Sequence, residues 1–214
     1  MSRCLLLAVA VLFAACASAP DRAYYPPPGD PGVALVSQTL FRAAGAAGDD
    51  PTRYSFALIQ SRDISAFSAD DATFYFSEGL VRQPPPHVEA LVAHEVAHEV
   101  LGHAGRRRTL KLSLSAGFTV LGILVPGASL LDLIASPLIV RAFTREQELA
   151  ADRKAVDILR SMGHDSPATA MAQALTAATE VNGPAGGPLS SEPSLTDRLR
   201  ALTALDPRAD LGER

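Results

Sequence analysis

The sequence predicts a mainly helical α+β protein in which a small antiparallel sheet packs against one of the helices. Its 214 residues, of which 48% are hydrophobic and 20% charged, are typical of a single globular domain. Abundant alanine favours helix, since alanine has the highest intrinsic helix propensity. Apolar residues recur at helical spacing through most of the chain, whereas alternating, strand-like patterns are confined to residues 54–77.

Residues 1–15 have the organisation of a secretory signal peptide. Arg3 supplies a positive charge, residues 5–13 are apolar but too few to span a bilayer, and small residues precede Cys16. This ending resembles a bacterial lipobox, which implies cleavage before Cys16 and a lipid on its sulfur. Cleavage after the Ala-Ser-Ala sequence of residues 17–19 is the alternative. We therefore expect a protein on the periplasmic side of the bacterial cell envelope, held as a lipoprotein in the outer membrane.

Composition excludes several classes of function. The only cysteines are Cys4 and Cys16, so the mature domain has no disulfide, no cysteine metal ligand and no cysteine nucleophile. The formal net charge is −4, so we expect no nucleic acid among the partners.

The first elements follow a proline-rich segment. Residues 16–32 are predicted to form an extended tether, which leads into a domain over residues 33–205. The spacing of apolar residues predicts a first helix over residues 33–47. Alternating patterns then predict three strands, over residues 54–60, 64–67 and 73–77.

Three consecutive prolines at residues 84–86 end the sheet and precede the most helix-like stretch of the chain, residues 87–104. Residues 112–140 are strongly apolar but interrupted by proline, so that neither half reaches the roughly 20 residues of a membrane-spanning helix. We predict an insertion of two helices that pack on the domain or contact the membrane; a membrane-spanning hairpin is the alternative. Further helices are predicted over residues 144–162, 166–181 and 195–205, before a tail over residues 206–214.

The helix over residues 87–104 carries a candidate zinc site. His94 and His98 are four residues apart, so both imidazoles project from one face, one turn apart, and are able to bind one zinc ion. Glu95 is placed to act on the attacking water, as general base and then as proton donor to the leaving amine. A chance His-Glu-x-x-His sequence on a structural helix is the alternative, because this motif is weakly specific by itself.

A catalytic zinc ion needs a third protein ligand and an open fourth position. The metzincin pattern is excluded, since it requires a glycine and a histidine where this sequence has Leu101 and Ala104. Glu148 and Asp152 lie four residues apart on one face of a later predicted helix. We predict that Glu148 is the third ligand, and that Asp152 accepts the N–H of a zinc-binding histidine and so fixes its tautomer. A solvated acidic face is the alternative for this pair.

Taken together, these residues resemble the gluzincin metallopeptidase family that comprises the CAAX prenyl endopeptidases, the heat-shock membrane protease HtpX and their periplasmic lipoprotein relatives. Residues 64–67 are similar to the Asn-Ala-Phe segment of that family, and residues 73–81 to its edge strand and following Gly-Leu. Residues 191–199 are similar to its C-terminal His-Pro…Arg-Ile segment. The resemblance extends, in order, over residues 33–205.

The resemblance implies an HExxH zinc-metallopeptidase (gluzincin) fold with one Zn²⁺ per chain. It implies an endopeptidase that cleaves unfolded or misassembled envelope proteins, and a polypeptide substrate that adds as a strand to an edge of the sheet. The membrane is a further expected partner, through lipidated Cys16 and residues 112–140. The residues expected to form the substrate-binding edge are Phe74, Tyr75, Phe76 and Ser77.

The sequence departs from the family pattern at two positions. Glu192 stands where the family has a histidine, and Ser65 where it has an asparagine. The loss of the histidine favours an alternative function, a catalytically weak or inactive zinc-binding lipoprotein that acts as an envelope chaperone or adaptor. A structural envelope protein without a metal is a third alternative. His103, five residues after His98, is predicted to point away from the metal face and to be structural.

Overall fold

A computed structural model describes residues 23–25, 29–68, 72–103, 143–184 and 192–206. Three predictions lie outside the described residues: the signal peptide with its lipidated Cys16, the apolar insertion over residues 112–140, and all but the first residue of the tail. The described helices and strands agree with the sequence-based elements to within a few residues. They are β1 (Ala23–Tyr24), α1 (Pro31–Ala47), a 3₁₀ turn (Pro51–Arg53), β2 (Ser55–Ile59), β3 (Ala66–Ser68), β4 (Thr73–Ser77), α2 (Glu78–Val81), α3 (Pro85–Val100), α4 (Arg145–Ser161), α5 (Pro167–Asn182) and α6 (Leu195–Thr203).

Local capping fixes where the helices begin. At the start of α1 the Asp30 carboxylate accepts hydrogen bonds from the backbone N–H groups of Gly32 (2.8 Å) and Val33 (3.2 Å). Helix α1 therefore begins two residues before the predicted position. Helix α4 begins with a capping box, in which the Thr144 hydroxyl accepts from the backbone of Gln147 and the Gln147 side chain accepts from the backbone of Thr144.

The mainly helical α+β fold with one small sheet is confirmed, but the sheet is mixed, whereas the prediction was antiparallel. Its strand order is β1-β2-β4-β3. Strand β2 pairs in parallel with β4, while the outer pairs β1–β2 and β3–β4 are antiparallel. The chain leaves β2, crosses to the far edge to form β3, and returns as a hairpin that inserts β4 between them.

Strand β4 is consequently not the edge strand that the sequence analysis expected. It pairs with neighbours on both sides, and its Phe74 and Phe76 side chains are 0% exposed in the core. The Ser77 hydroxyl is also buried, because it donates to the backbone oxygen of Asp63 (2.6 Å) and accepts from the backbone N–H of Leu80 (3.1 Å). Among the strands that the described residues form, the edge next to the long helices is β3, which contacts α3.

Part of the predicted tether belongs to the domain. Residues Ala23 and Tyr24 pair with Ile59 and Leu58 at the other edge of the sheet. The Tyr24 hydroxyl also donates to a carboxylate oxygen of Glu78 at 2.7 Å. The chain is therefore fixed to the sheet only a few residues after the predicted lipid attachment site.

Helix α3 is the centre of the helical layer. It packs against α1, α4 and α5 on different sides, and against β3 of the sheet. Ala93 and Ala97 of α3 and Ala151 and Ala155 of α4 are all fully buried, and side chains of this size permit close packing of helices. In the part of the chain that the structure describes, no helix combines the length and apolarity that crossing a membrane requires.

Candidate metal centre and active site

The candidate site lies where α3 packs on α4. His94, Glu95 and His98 are all buried on α3, although polar side chains of this kind are normally exposed unless they have partners. Glu148 and Asp152 on α4 are buried opposite them. The structure thus brings together the five residues that the sequence analysis selected for the metal and its surroundings, and the solvated acidic face proposed as the alternative for Glu148 and Asp152 is not found.

Donor atoms of three residues lie close together. The Nε2 atoms of His94 and His98 are 3.0 Å apart, and they lie 3.3 Å and 3.5 Å from the two carboxylate oxygens of Glu148. A tetrahedral zinc ion with ligands at about 2.0–2.1 Å requires donor atoms about 3.3 Å apart. The observed separations bracket that value, so the donor set fits a metal of this size and geometry.

Asp152 orients the first of these histidines. Its Oδ1 atom lies 3.0 Å from the Nδ1 atom of His94, on the opposite side of the ring from the nitrogen that faces His98 and Glu148. A carboxylate at this position accepts the Nδ1–H and leaves Nε2 unprotonated for a metal. The geometry is the one expected for the tautomer-fixing role assigned to Asp152.

The sequence analysis did not select Arg198, which the structure places in the site. The Arg198 guanidinium on α6 donates from Nε to Asp152 Oδ2 (2.7 Å) and from Nη2 to Asp152 Oδ1 (2.5 Å). Its Nη1 atom also lies 3.7 Å from Glu148 Oε2. The two hydrogen bonds from Arg198 fix the orientation of the Asp152 carboxylate toward His94. A signal was available, because Arg198 belongs to the C-terminal segment that resembles the family and a buried aspartate needs a cation nearby.

His103 contacts the second histidine at the ring nitrogen opposite its donor atom, so it lies outside the donor set, as predicted, but it is closer to the site than the sequence analysis expected. Its Nδ1 atom is 3.1 Å from Nδ1 of His98, and it is buried. The prediction assumed a continuous helix, but α3 ends at Val100 and Gly102, with a φ of 67°, redirects the chain. The Phe143 ring stacks on His98 with a centroid distance of 3.7 Å and covers its other face.

Electrostatic interactions hold the site in a charged, paired state. Burial lowers the pKa of His94, but hydrogen bonds with Asp152 and Glu148 outweigh that effect and raise the pKa to about 9. Burial raises the pKa of Asp152, but the Arg198 charge and hydrogen bonds bring it down to about 2. Burial raises the pKa of Glu148, but its hydrogen bond with His94 and the charges of His94 and Arg198 together outweigh burial and lower that pKa. Both carboxylates are therefore ionised at neutral pH.

Glu192, which replaces the family histidine, lies beside this network. It precedes α6 and is partly buried. Burial disfavours the charge of Arg198, but the carboxylates of Asp152, Glu148 and Glu192 outweigh burial and raise the pKa of Arg198. The position at which the resemblance implies a histidine thus carries an acidic group whose charge acts on Arg198.

Comparison with known proteins agrees with this geometry. A family model, described as peptidase family M48, matches residues 33–206, which is most of the chain and includes every residue of the site described above. No individual curated protein gives a significant match to the sequence. Because the match covers the buried His-Glu-x-x-His helix together with the helix that supplies Glu148 and Asp152, the chain belongs to peptidase family M48 and is a metallopeptidase.

Proposed function

We propose that this protein is a zinc-dependent endopeptidase of the bacterial cell envelope that hydrolyses peptide bonds in unfolded or misassembled proteins. The observation that carries the proposal is the donor triangle formed by the side chains of His94, His98 and Glu148, whose closest nitrogen–nitrogen and nitrogen–oxygen distances are 3.0, 3.3 and 3.5 Å. The buried Glu95 follows His94 on the same helix. Zinc is the metal that this His₂Glu donor set suits best, and such a set leaves a fourth position open.

His94, His98 and Glu148 would hold the metal. When bound, zinc supplies a Lewis acid that polarises the scissile carbonyl and promotes deprotonation of water at neutral pH. Asp152 and Arg198 keep His94 in the tautomer that this requires, and His103 and Phe143 confine the ring of His98.

Glu95 would move the proton. It follows His94 directly, so its side chain leaves α3 in a different direction and is not part of the donor triangle. In that position it takes a proton from the attacking water and delivers it to the amine of the leaving peptide.

The substrate would bind along β3. This strand contacts α3 and lies at the outside of the described sheet, whereas β4 is enclosed on both sides. A peptide that pairs with the backbone of β3 at Ala66 would lie alongside the active-site helix. Main-chain pairing of this kind accepts many sequences, which suits unfolded proteins as substrates.

The location in the envelope is supported by the N-terminal sequence, where an apolar segment with a leading positive charge ends in small residues before Cys16. A lipid on Cys16 would anchor the domain at the outer membrane, and β1, seven residues later at Ala23, already belongs to the sheet. Radiolabelled palmitate incorporated into the wild-type chain and lost in Cys16→Ala tests this part of the proposal.

The activity is tested by incubating zinc-loaded wild-type protein and Glu95→Gln with unfolded casein. We expect the wild-type protein to cleave casein, and Glu95→Gln to lose cleavage while it retains zinc, because the amide cannot accept the proton. Equal cleavage by the two proteins would show that Glu95 is not the base.

Glu192 favours a second candidate function, a zinc-binding lipoprotein with weak or no peptidase activity that acts as a chaperone or adaptor. A negative carboxylate near Arg198 cannot stabilise a developing oxyanion as a histidine would. Wild-type protein that prevents aggregation of an unfolded client but does not cleave casein would support this second candidate.

A further inference from the structure

The C-terminal residue of α5 makes an unusual contact with the chain just before β3. Asn182 accepts a hydrogen bond on Oδ1 from the backbone N–H of Ile64 (2.8 Å) and donates from Nδ2 to the backbone oxygen of the same residue (2.8 Å). The two residues are 118 positions apart in the sequence. One carboxamide therefore satisfies both backbone groups of a single residue, as the peptide units of a neighbouring strand would.

The direction of this contact follows from the pairing of the adjacent residue. Ser65 points both of its backbone groups toward β4, since its N–H donates to the Ser77 hydroxyl (3.0 Å) and its oxygen accepts from the Ser77 N–H (3.0 Å). Successive residues of an extended chain direct their backbone groups to opposite sides. Ile64 and Ala66 consequently direct theirs toward the outer edge, and Asn182 lies on that edge at Ile64.

The same stretch is held firmly from the inner side. The Gly79 N–H donates to the oxygen of Ser61 at 3.0 Å, and a Cβ atom at Gly79 would come within 2.2 Å of the Arg62 oxygen. The Ser77 hydroxyl donates to Asp63. Residues 61–65 are thus fixed to β4 and α2 on one side, and Asn182 supplies the contact on the other side.

We propose that Asn182 is a positioning residue for substrate binding. It binds the outward-facing backbone groups of Ile64, so the backbone edge that a peptide can pair with begins at Ala66 of β3. It also fixes the position of that edge relative to α3. This inference rests on the proposed binding of a peptide along β3. Without the carboxamide, residues 64–66 lose their outer support, and an incoming peptide must order the edge as it binds. The cost falls on peptide affinity and leaves the metal ligands and Glu95 unchanged.

Substitutions at Asn182 separate these effects. Asn182→Ala removes both hydrogen bonds. Asn182→Asp retains the acceptor for the Ile64 N–H but turns a second oxygen toward the Ile64 oxygen. Thr179→Ala is the matched control, because Thr179 lies one turn earlier on α5 and its hydroxyl bonds only to Leu175 of the same helix, at 2.9 Å.

Binding is measured in the zinc-loaded Glu95→Gln background by fluorescence anisotropy of a labelled casein-derived peptide. We expect Asn182→Ala to raise the Kd about tenfold, equivalent to about 1.4 kcal/mol, which is within the range for two hydrogen bonds. Asn182→Asp should bind the peptide at least as weakly as Asn182→Ala. Thr179→Ala should have the same Kd as the Glu95→Gln protein. In the active protein the same substitutions should raise KM with kcat changed less than twofold.

Equal Kd values for Asn182→Ala and Thr179→Ala would overturn the proposal, as would a fall in kcat at constant KM. Hydrogen exchange of the fragment covering residues 61–68 provides a second measurement, and exchange there should increase in Asn182→Ala only. Failure of the proposed peptidase activity appears differently, as a wild-type protein that binds the peptide, with Asn182-dependent affinity, but does not cleave it.

Discussion

Replacing Asp152 by asparagine tests how the buried charge network supports the metal site. The Asp152 carboxylate faces two donors at once: the Nδ1 atom of His94 at 3.0 Å, and the Arg198 guanidinium at 2.5 and 2.7 Å. An asparagine of the same shape retains one oxygen for His94 but presents an NH₂ group to the guanidinium. His94 then loses the negative charge behind it, and Arg198 loses its main counter-charge in a buried position.

The expected magnitude follows from these contacts. Loss of the carboxylate behind a metal-binding histidine typically costs 10- to 100-fold in metal affinity or activity. We therefore expect the Kd for zinc to rise by roughly 10- to 100-fold, or about 1.4–2.7 kcal/mol. The metal-free protein should also be destabilised by about 3 kcal/mol, because removing one partner of a buried ion pair leaves the other charge uncompensated.

Zinc affinity is measured by competition with a chromophoric chelator, and stability by urea unfolding of the metal-free protein. Asp157→Asn is the control, since Asp157 lies on the exposed side of the same helix and its carboxylate pairs with Arg160 in solvent. That substitution should change neither quantity by more than about 0.5 kcal/mol. A zinc Kd for Asp152→Asn within twofold of the wild-type value would refute the reasoning.

Four further predictions follow from the same structure. Hydrogen bonds to Asp152 and Glu148 raise the pKa of His94 to about 9, whereas a histidine that binds zinc must be neutral. Zinc binding at pH 7 should therefore release one proton, and zinc affinity should rise about tenfold per pH unit up to about pH 9. Calorimetry in buffers of different ionisation enthalpy measures the number of protons released. The raised pKa of His94 also contributes to the stability of the metal-free protein. This contribution is complete below pH 6.5, the approximate pKa of histidine in the unfolded chain, and is lost as the pH rises through about 9. Urea unfolding at several pH values between 6 and 10 measures it. Gly79→Ala should cost about 2–4 kcal/mol in urea unfolding, because its Cβ would meet two backbone oxygens at 2.2 and 2.3 Å, whereas Gly45→Ala, with nothing within 4 Å, should be neutral or slightly stabilising. Glu192→His should raise kcat on casein if the missing family histidine limits the rate; an unchanged kcat would show that it does not.

The parts of the fold that depend on neighbouring residues could be predicted from the sequence. Prolines mark the starts of α3 and α5, and a four-residue spacing places His94 with His98 and Glu148 with Asp152 on helical faces. These features depend on backbone geometry over one or two turns. They were sufficient to predict the candidate metal ligands His94, His98 and Glu148.

The parts that depend on distant residues could not be predicted in this way. Alternation shows that residues 73–77 form a strand, but not that they pair on both sides, because the order β1-β2-β4-β3 depends on which hairpin inserts where. Similarly, Arg198 reaches Asp152 across 46 residues, and Asn182 reaches Ile64 across 118. A local sequence pattern carries no information on contacts over such separations in the chain. The contacts of Arg198 and Asn182 are therefore visible only in the folded structure.

The metal content of purified protein tests the central claim most directly. Wild-type protein, Glu148→Ala and the control Glu146→Ala are compared by elemental analysis after dialysis against a weak chelator; Glu146 is exposed on the same helix, outside the donor triangle. We expect one zinc per chain in the wild-type protein and in Glu146→Ala, and less than about one tenth of that in Glu148→Ala, because two histidines alone leave the ion without its charged ligand. One zinc per chain retained in Glu148→Ala would contradict the site described here.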